Sequence, residues 1–373
     1  MGEARPRVLF VGHDASRTGA PVVGLAFVRW LAAQGVADLG IALLGTGPLE
    51  PDYRQVAPTT VQGARPWALD ALAQRGPLHR PRRPRPPAAD PQVVVANTLA
   101  ALASAAALDA PRLVCWVHEL DGVADRILPP ARRRKLAPRV HRWVAAGPRV
   151  AEMLVERWGL PPARVVTVEE FVEPPPAAPA TSTHASPHAG PWRPVRVLGV
   201  GACSPRKGVD AFVACLADLS TRRPTPAAAW VGGRADSVTA REARHDLERS
   251  GLAHAVRLEP DLADLEPWWP RRGLLLHPAR EDPFPLVVIE AGQRAIPVVT
   301  WDTGGAADLL RRAGLADWVA EPGDLLGLSR RVEALLEDHD ARAAAGRALY
   351  EVSTTLVAEH QAPRVWAACV EAL

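Results

Sequence analysis

The chain has 373 residues, 48% of them hydrophobic, and a formal net charge of +3 from 44 basic and 41 acidic residues. That length favours two domains over one, and the apolar fraction lets each bury its own core. So small a net charge argues against nucleic acid as a partner, and no apolar run approaches the ~20 residues that a membrane-spanning helix needs.

Residues 7–12, RVLFVG, are a short β-branched run ending in glycine, as a buried parallel strand is. Ahead of them, the start MGEARP lacks the apolar segment and cleavage site of a secretory signal, so a cytoplasmic location is expected. Residues 20–35 follow as a helix, with Pro21 suited to its first turn and Gly35 to the position just past its end. Further strands are expected at 39–45, 92–98, 112–119, 141–147 and 163–172, with helices at 99–108 and 148–160. Such alternation means a parallel sheet covered on both faces. Residues 173–194, rich in Pro and Ala, lose all periodicity and read as a linker. Alternation then resumes, with strands at 195–201, 227–233, 254–260, 273–279 and 296–302. Helices are expected from about 208 to 219, near 239–250 and 286–295, and along a tail from about 325 to 373. The expected organisation is a doubly wound α/β domain over 1–172, the linker 173–194 and a second such domain over 195–351. A helix at about 352–373 is expected to pack back on the first domain. The four cysteines, Cys115, Cys203, Cys215 and Cys369, lack C-x-x-C spacing and read as buried free thiols of a reducing compartment.

In open α/β sheets ligands sit beyond the carboxyl ends of the strands, so the residues after each strand carry the functional reading. After the first comes GHDASRTGAP, where Gly12 and Gly19 lead into a helix N-terminus whose free N–H groups suit an anion. It matches neither the dinucleotide fingerprint nor the Walker A loop, and a plain tight turn explains it equally well. His118 and Glu119 follow the strand at 112–117. His118 is a candidate donor to a reacting group or a sugar hydroxyl, although a lone histidine at a strand end is more often structural. His-Glu-x-x-His is absent because position 122 is Gly, and no Cys/His cluster is visible, so no metal is expected. After residues 195–201 comes ACSPRKG, where Arg206 and Lys207 at a helix start suit a diphosphate. A solvated surface pair is the plainer reading of that motif alone. After residues 273–279 comes REDPFPLVVIE. Asp282 before Pro283 reads as a helix N-cap with proline at the first helical position. Glu290 has no such explanation: it follows the apolar run 286–289, where a carboxylate needs hydrogen-bond donors that two ribose hydroxyls would supply.

Together these segments resemble the family 4 glycosyltransferases, retaining, nucleotide-sugar-dependent enzymes of the GT-B fold. The resemblance covers nearly the whole chain and is strongest over 195–310. The family's Glu-x7-Glu segment, commonly E-P-F-G-L-x-x-x-E-A, is similar to DPFPLVVIEA, with Asp282 in place of the first Glu and Glu290 at the ribose-binding second. Its G-R-L-x-x-x-K-G is similar to GACSPRKG: Lys207 and Gly208 match, Ala202 stands where the usual Arg falls, and Arg206 is a candidate substitute. Gly19 resembles part of the family's first glycine loop, His118 its histidine at the cleft, and PVVTWDTGG its P-V-V-A-x-x-x-G-G. The implied architecture is two Rossmann-like doubly wound parallel-sheet domains facing a central cleft. The implied catalytic residues are His118, Arg206, Lys207 and Asp282. The implied donor-binding residues are Gly19, Gly201, Lys207, Gly232, Glu281, Asp282, Phe284, Pro285, Leu286 and Glu290.

The resemblance implies transfer of a hexosyl or related group from a nucleoside-diphosphate sugar to a hydroxyl acceptor, with no metal or other cofactor. Arg206, Lys207 and nearby N–H groups would stabilise the departing diphosphate. The expected partners are a nucleotide sugar and a small-molecule, glycan or lipid-linked acceptor. Two basic runs, 75–87 and 129–139, fall in the half that holds the acceptor in this fold. Solvated surface loops explain them better than peripheral membrane contact, which is disfavoured. Two alternatives stand beside transfer to a hydroxyl. One is a GT-B sugar phosphorylase or a synthase acting on a phosphosugar. The other is a non-catalytic nucleotide-sugar-binding relative, suggested by Ala202 and Asp282. A nicotinamide dehydrogenase is disfavoured because no Gly-x-Gly-x-x-Gly follows a strand.

Overall fold

Apolar, β-branched runs form the strands of two all-parallel sheets in the computed structural model, which describes residues 5–63, 84–87, 90–175, 194–270 and 272–371. Residues 75–83 of the first basic run and 176–193 of the expected linker lie outside the described residues. The chain divides into two units, Met1–Glu173 with Leu356–Leu373, and Pro174–Thr355.

The first unit holds β1 (Arg7–Gly12), β2 (Asp38–Leu43), β3 (Thr59–Val61), β4 (Val93–Asn97), β5 (Arg112–Val117), β6 (Arg142–Ala145) and β7 (Val165–Thr167). Their order is β3-β2-β1-β4-β5-β6-β7. Helices α1 (Gly19–Gln34), α2 (Glu50–Val56), α3 (Leu99–Ala106), α4 (Asp121–Ile127), α5 (Pro130–Leu136) and α6 (Pro148–Glu152) connect them. Side chains alternate across the sheet, as the two-residue period of a strand requires. Val8 and Phe10 enter one core with Phe27, Trp116 and Phe171. Leu9 and Val11 enter the other with Trp143 and Met153.

The second unit repeats the winding with β8 (Val197–Val200), β9 (Ala228–Val231), β10 (Val256–Glu259), β11 (Leu274–His277), β12 (Val298–Trp301) and β13 (Val319–Ala320), in the order β10-β9-β8-β11-β12-β13. Its helices are α7 (Val209–Ser220), α8 (Val238–Arg249), α9 (Leu286–Gly292), α10 (Gly305–Arg312), α11 (Leu325–Glu337) and α12 (His339–Ser353). The last helix, α13 (Ala358–Val370), belongs to the first unit, where Ala362, Val365, Ala368 and Cys369 join the core of Phe10 and Trp116.

Several expectations are corrected. The strand at 163–172 shrinks to β7, because its only neighbour, β6, offers three pairing positions, Trp143 to Ala145. The tail is helical as expected and is built of three helices, α11, α12 and α13. Asp338 interrupts it by accepting from the backbone N–H groups of Asp340 and Ala341, both at 2.9 Å, which starts α12 afresh. The basic run 129–139 is not a loop: α5 and a 3₁₀ turn at Ala137–Arg139 occupy most of it. Cys203 is half-buried rather than buried, because it lies on a loop beyond a strand end; all four cysteines are free. No helix among the described residues is long and apolar enough to cross a membrane.

Candidate active site

Each sheet reverses its winding once. In the first unit the reversal lies between β1 and β4, and in the second between β8 and β11. Loops leaving such a pair diverge to opposite faces and open a crevice at the carboxyl ends. Both polar clusters of interest lie at these two points.

In the second unit, the loop after β8 carries Gly201, Ala202, Arg206 and Lys207. It is a tight turn, with the N–H groups of Lys207 and Gly208 both donating to Ser204 O at 3.1 Å. Arg280 braces it from the loop after β11: its guanidinium donates to Pro205 O at 2.6 Å and to both carboxylate oxygens of Asp210 at 2.9 and 2.7 Å. Arg206 donates to Glu281 O at 2.8 Å. These bonds tie the loops after β8 and β11 together and bring Lys207 over Asp282, with Nζ donating to Oδ2 at 2.5 Å.

Asp282 is not the N-cap expected for it. The helix begins four residues on, at Leu286, behind Pro285. Residue 282 instead runs extended beside Gly304, and Gly305 N–H donates to Asp282 O at 3.0 Å. Pairing with a distant strand end has overridden the local Asp-Pro signal. Burial pushes the Asp282 carboxyl up, but Lys207, then His277 and Arg206, outweigh it and hold the group well below the ordinary carboxylate range. His277 closes the cluster from the end of β11, with Nε2 3.5 Å from Asp282 Oδ2; its burial lowers its pKa, and Asp282 opposes that. His277, Arg280 and Asp210 were not anticipated. The available signal was a polar residue ending the apolar run LLLH.

Glu290 sits half-buried within α9, behind the buried Val288 and Ile289. Burial raises its carboxyl, Arg294 lowers it and Glu266 raises it further. Arg294 gives its hydrogen bond to Glu290 O rather than to the carboxylate, and pairs with Glu266 at 2.7 Å. The carboxylate that Lys207 meets is thus Asp282, not Glu290. Phe284 and Pro285 are buried, Leu286 is half-buried, and Gly232 follows β9, where its carbonyl accepts from Cys203 Sγ at 3.3 Å.

In the first unit, Gly19 opens α1 and is exposed, while His118 lies beyond β5. His118 is not free to face outward: Nδ1 is hydrogen-bonded with Glu170 Oε1 at 2.5 Å and Nε2 with Asn97 Oδ1 at 2.7 Å. Asn97 in turn donates to Ala20 O at 2.8 Å. Beneath them Glu119 accepts from the N–H groups of Leu99 at 3.2 Å and His118 at 3.0 Å, which caps α3. Thr98, between β4 and that helix, is held at φ 98°, a strained conformation for a residue with a Cβ.

Burial dominates the titration of Glu119, pushing it up to about 7 against the opposing effects of His118 and the two backbone donors. A carboxyl raised in the folded state binds its proton more tightly there than in the unfolded chain. Stability should therefore be highest below about pH 4.5 for this group and fall as pH rises through the folded value. The shift from 4.5 to about 7 corresponds to a loss of about 3 kcal/mol. Glu119→Gln is expected to flatten the dependence between these pH values, measured by denaturant titration. A dependence equally steep in the variant would refute this role.

Residues 194–338 match the family model "Glycosyl transferases group 1". A D-inositol 3-phosphate glycosyltransferase of Catenulispora acidiphila is 28% identical over 251 residues, 61% of this chain and 58% of that protein. A D-inositol 3-phosphate glycosyltransferase of Jonesia denitrificans is 33% identical over 115 residues, 29% of this chain and 27% of that protein. The chain thus spans well under two thirds of the length of these curated relatives. Over residues 194–338 the chain is thus similar to the group 1 glycosyltransferases. Its fold is GT-B. HepE of Anabaena, solved with UDP and glucose, superposes with a TM-score of 0.78 at 17% identity, over 99% of this chain and 100% of HepE. Sucrose-phosphate synthase of Thermosynechococcus elongatus gives 0.73 at 17% identity, over 97% and 98%. The family match encloses the whole Lys207–Asp282–Glu290 region of this chain.

Proposed function

We propose that this chain is a family 4 retaining glycosyltransferase that moves a sugar from a nucleoside-diphosphate sugar to a hydroxyl acceptor. The observation that carries the reading is the Lys207 ammonium, held over Asp282 at 2.5 Å beside Arg206, at the carboxyl ends of β8 and β11. A departing diphosphate concentrates negative charge where the sugar–oxygen bond breaks. Lys207 and Arg206 offset that charge, and the dipole of α7 adds to them. Because these groups are already fixed by Asp282, Glu281 O and the Arg280 brace, little reorganisation accompanies the step. The acceptor hydroxyl forms its bond to the anomeric carbon on the face the diphosphate leaves, and its proton passes to the departing phosphate oxygen. Asp282, kept ionised, positions Lys207, and no metal ion is invoked for the charge. Glu290 takes the ribose hydroxyls, whose two donors suit a carboxylate that burial would otherwise disfavour.

The named relatives support the substrate class: nucleotide and glucose are bound in HepE, and the curated relatives are named as glycosyltransferases. The acceptor is read as a small molecule or glycan bearing a free hydroxyl, and the free cysteines suit a cytoplasmic, reducing location. The test is turnover of a nucleoside-diphosphate sugar with the anomeric coupling of the product read by proton NMR. The expected product keeps the donor's anomeric configuration. An inverted product, or release of sugar phosphate when phosphate is the better acceptor, would refute the reading.

A further inference from the structure

Glu290, to which the transfer reading gives the ribose, has beside it a cation that does not pair with its carboxylate. That cation is Arg294, just past α9. Its guanidinium lies over the Trp269 ring, 4.9 Å from the ring centre. Nε and Nη2 both donate to Glu266 Oε2, at 3.1 and 2.7 Å, and Nη1 donates to Glu290 O at 2.9 Å. Glu266 opens a 3₁₀ turn, Glu266–Trp268, between β10 and β11, and its own N–H donates to Asp264 Oδ1 at 2.8 Å. The chain leaves Arg294 through Ala295 at φ 53°, a left-handed conformation that costs a residue with a Cβ. The Arg294 side chain is 17% exposed, so the guanidinium is seated rather than solvated. Four residues apart on a helical turn, a glutamate and an arginine ordinarily pair through their charges. Here Glu266 claims the charged fork, and Glu290 receives a bond only at its backbone oxygen. The Glu290 carboxylate is thereby left clear of the guanidinium, while the positive charge stays close enough to oppose the burial that pushes its carboxyl up.

Resting on the transfer reading, we propose that Arg294, seated by Glu266 and Trp269, is a positioning residue that acts on the bound nucleoside through Glu290. Nη1 fixes the last turn of α9, and Glu266 keeps the guanidinium off the carboxylate that the ribose hydroxyls must reach. Removing either partner weakens nucleoside binding by a different route. Without Arg294, Glu290 loses its cation and the anchor of its helix turn. Without Glu266, the guanidinium swings onto the Glu290 carboxylate and competes with the ribose.

The test is calorimetric titration of the full chain with UDP, GDP and ADP, which all carry both ribose hydroxyls. For the nucleotide that wild type binds, Arg294→Gln and Glu266→Gln should each raise Kd by roughly three- to tenfold. Arg294→Lys, which keeps the charge without the fork, should recover part of that loss. In a Glu290→Ala background neither change should move Kd by more than about twofold, and Glu266→Gln should add nothing to Arg294→Gln. A wild-type Kd in either single variant would overturn the proposal. So would an equal loss in the Glu290→Ala background, which would mark Arg294 as merely structural. If wild type binds none of the three nucleotides, or Glu290→Ala binds as well as wild type, the ribose reading itself falls and takes the proposal with it.

Discussion

Replacing Lys207 with alanine is expected to lower kcat/KM for sugar transfer by on the order of 100- to 1,000-fold, the loss seen when one donor to a developing anion is removed. The same change should also lower stability. Asp282 is buried and ionised, and Lys207 is the cation that contacts it. Stranding a buried carboxylate by deleting its partner costs about 3–5 kcal/mol. The two effects are separable. Pairing Lys207→Ala with Asp282→Asn removes the stranded charge, so stability should recover while transfer does not. Melting curves and kcat/KM on the single and double variants form a cycle that isolates the coupling. Transfer that recovers along with stability would mean that Lys207 acts only as a structural counter-ion.

Gly208→Ala should have the largest effect on folding. Gly208 has φ 78°, and a Cβ there would lie 1.9 Å from Pro278 O. The left-handed conformation alone costs a residue with a Cβ roughly 1–2 kcal/mol. The overlap is with backbone at the end of β11, so no side chain can swing aside to relieve it. The loop carrying Arg206 and Lys207 would have to leave the strand end and lose the bond from Arg280 N–H to Arg206 O. A total above about 4 kcal/mol is expected, which corresponds to a fall in melting temperature on the order of 10 °C for a unit of this size. Calorimetry would check it, and an unchanged transition would show that the loop has other seats. The close approach explains why the sequence needs glycine after Lys207: without one, the ammonium cannot be delivered to Asp282.

The winding of both sheets is legible in the sequence because strands buried on both faces are continuous apolar runs, as in RVLFVG, RLVCWV and LLLH. β3 and β13 are not legible: they are three and two residues long, and each pairs with one neighbour at a sheet edge. The site divides in the same way. Lys207 and Glu290 stand in motifs with fixed spacing, so a local reading reaches them. Asp282 is misread locally because the extended pairing with Gly304 comes from 22 residues away, between positions 282 and 304. Asn97, His118 and Glu170 are separated by 21 and 52 residues. Only the order of β4, β5, β6 and β7 brings them together, so no spacing announces them. His277 offered one clue, a polar residue ending a buried strand, whose partner is visible only once the loop carrying Asp282 is placed.

The central claim, that the second unit binds a nucleoside diphosphate with Glu290 on its ribose, is tested most directly by calorimetric titration with UDP, GDP, ADP and dTDP. The account predicts that at least one binds the wild-type protein, and that Glu290→Ala weakens it by roughly 10- to 100-fold through loss of hydrogen bonds to a charged group. A folded wild-type protein that binds none of the four, or a Glu290→Ala variant that binds as well as wild type, would contradict it.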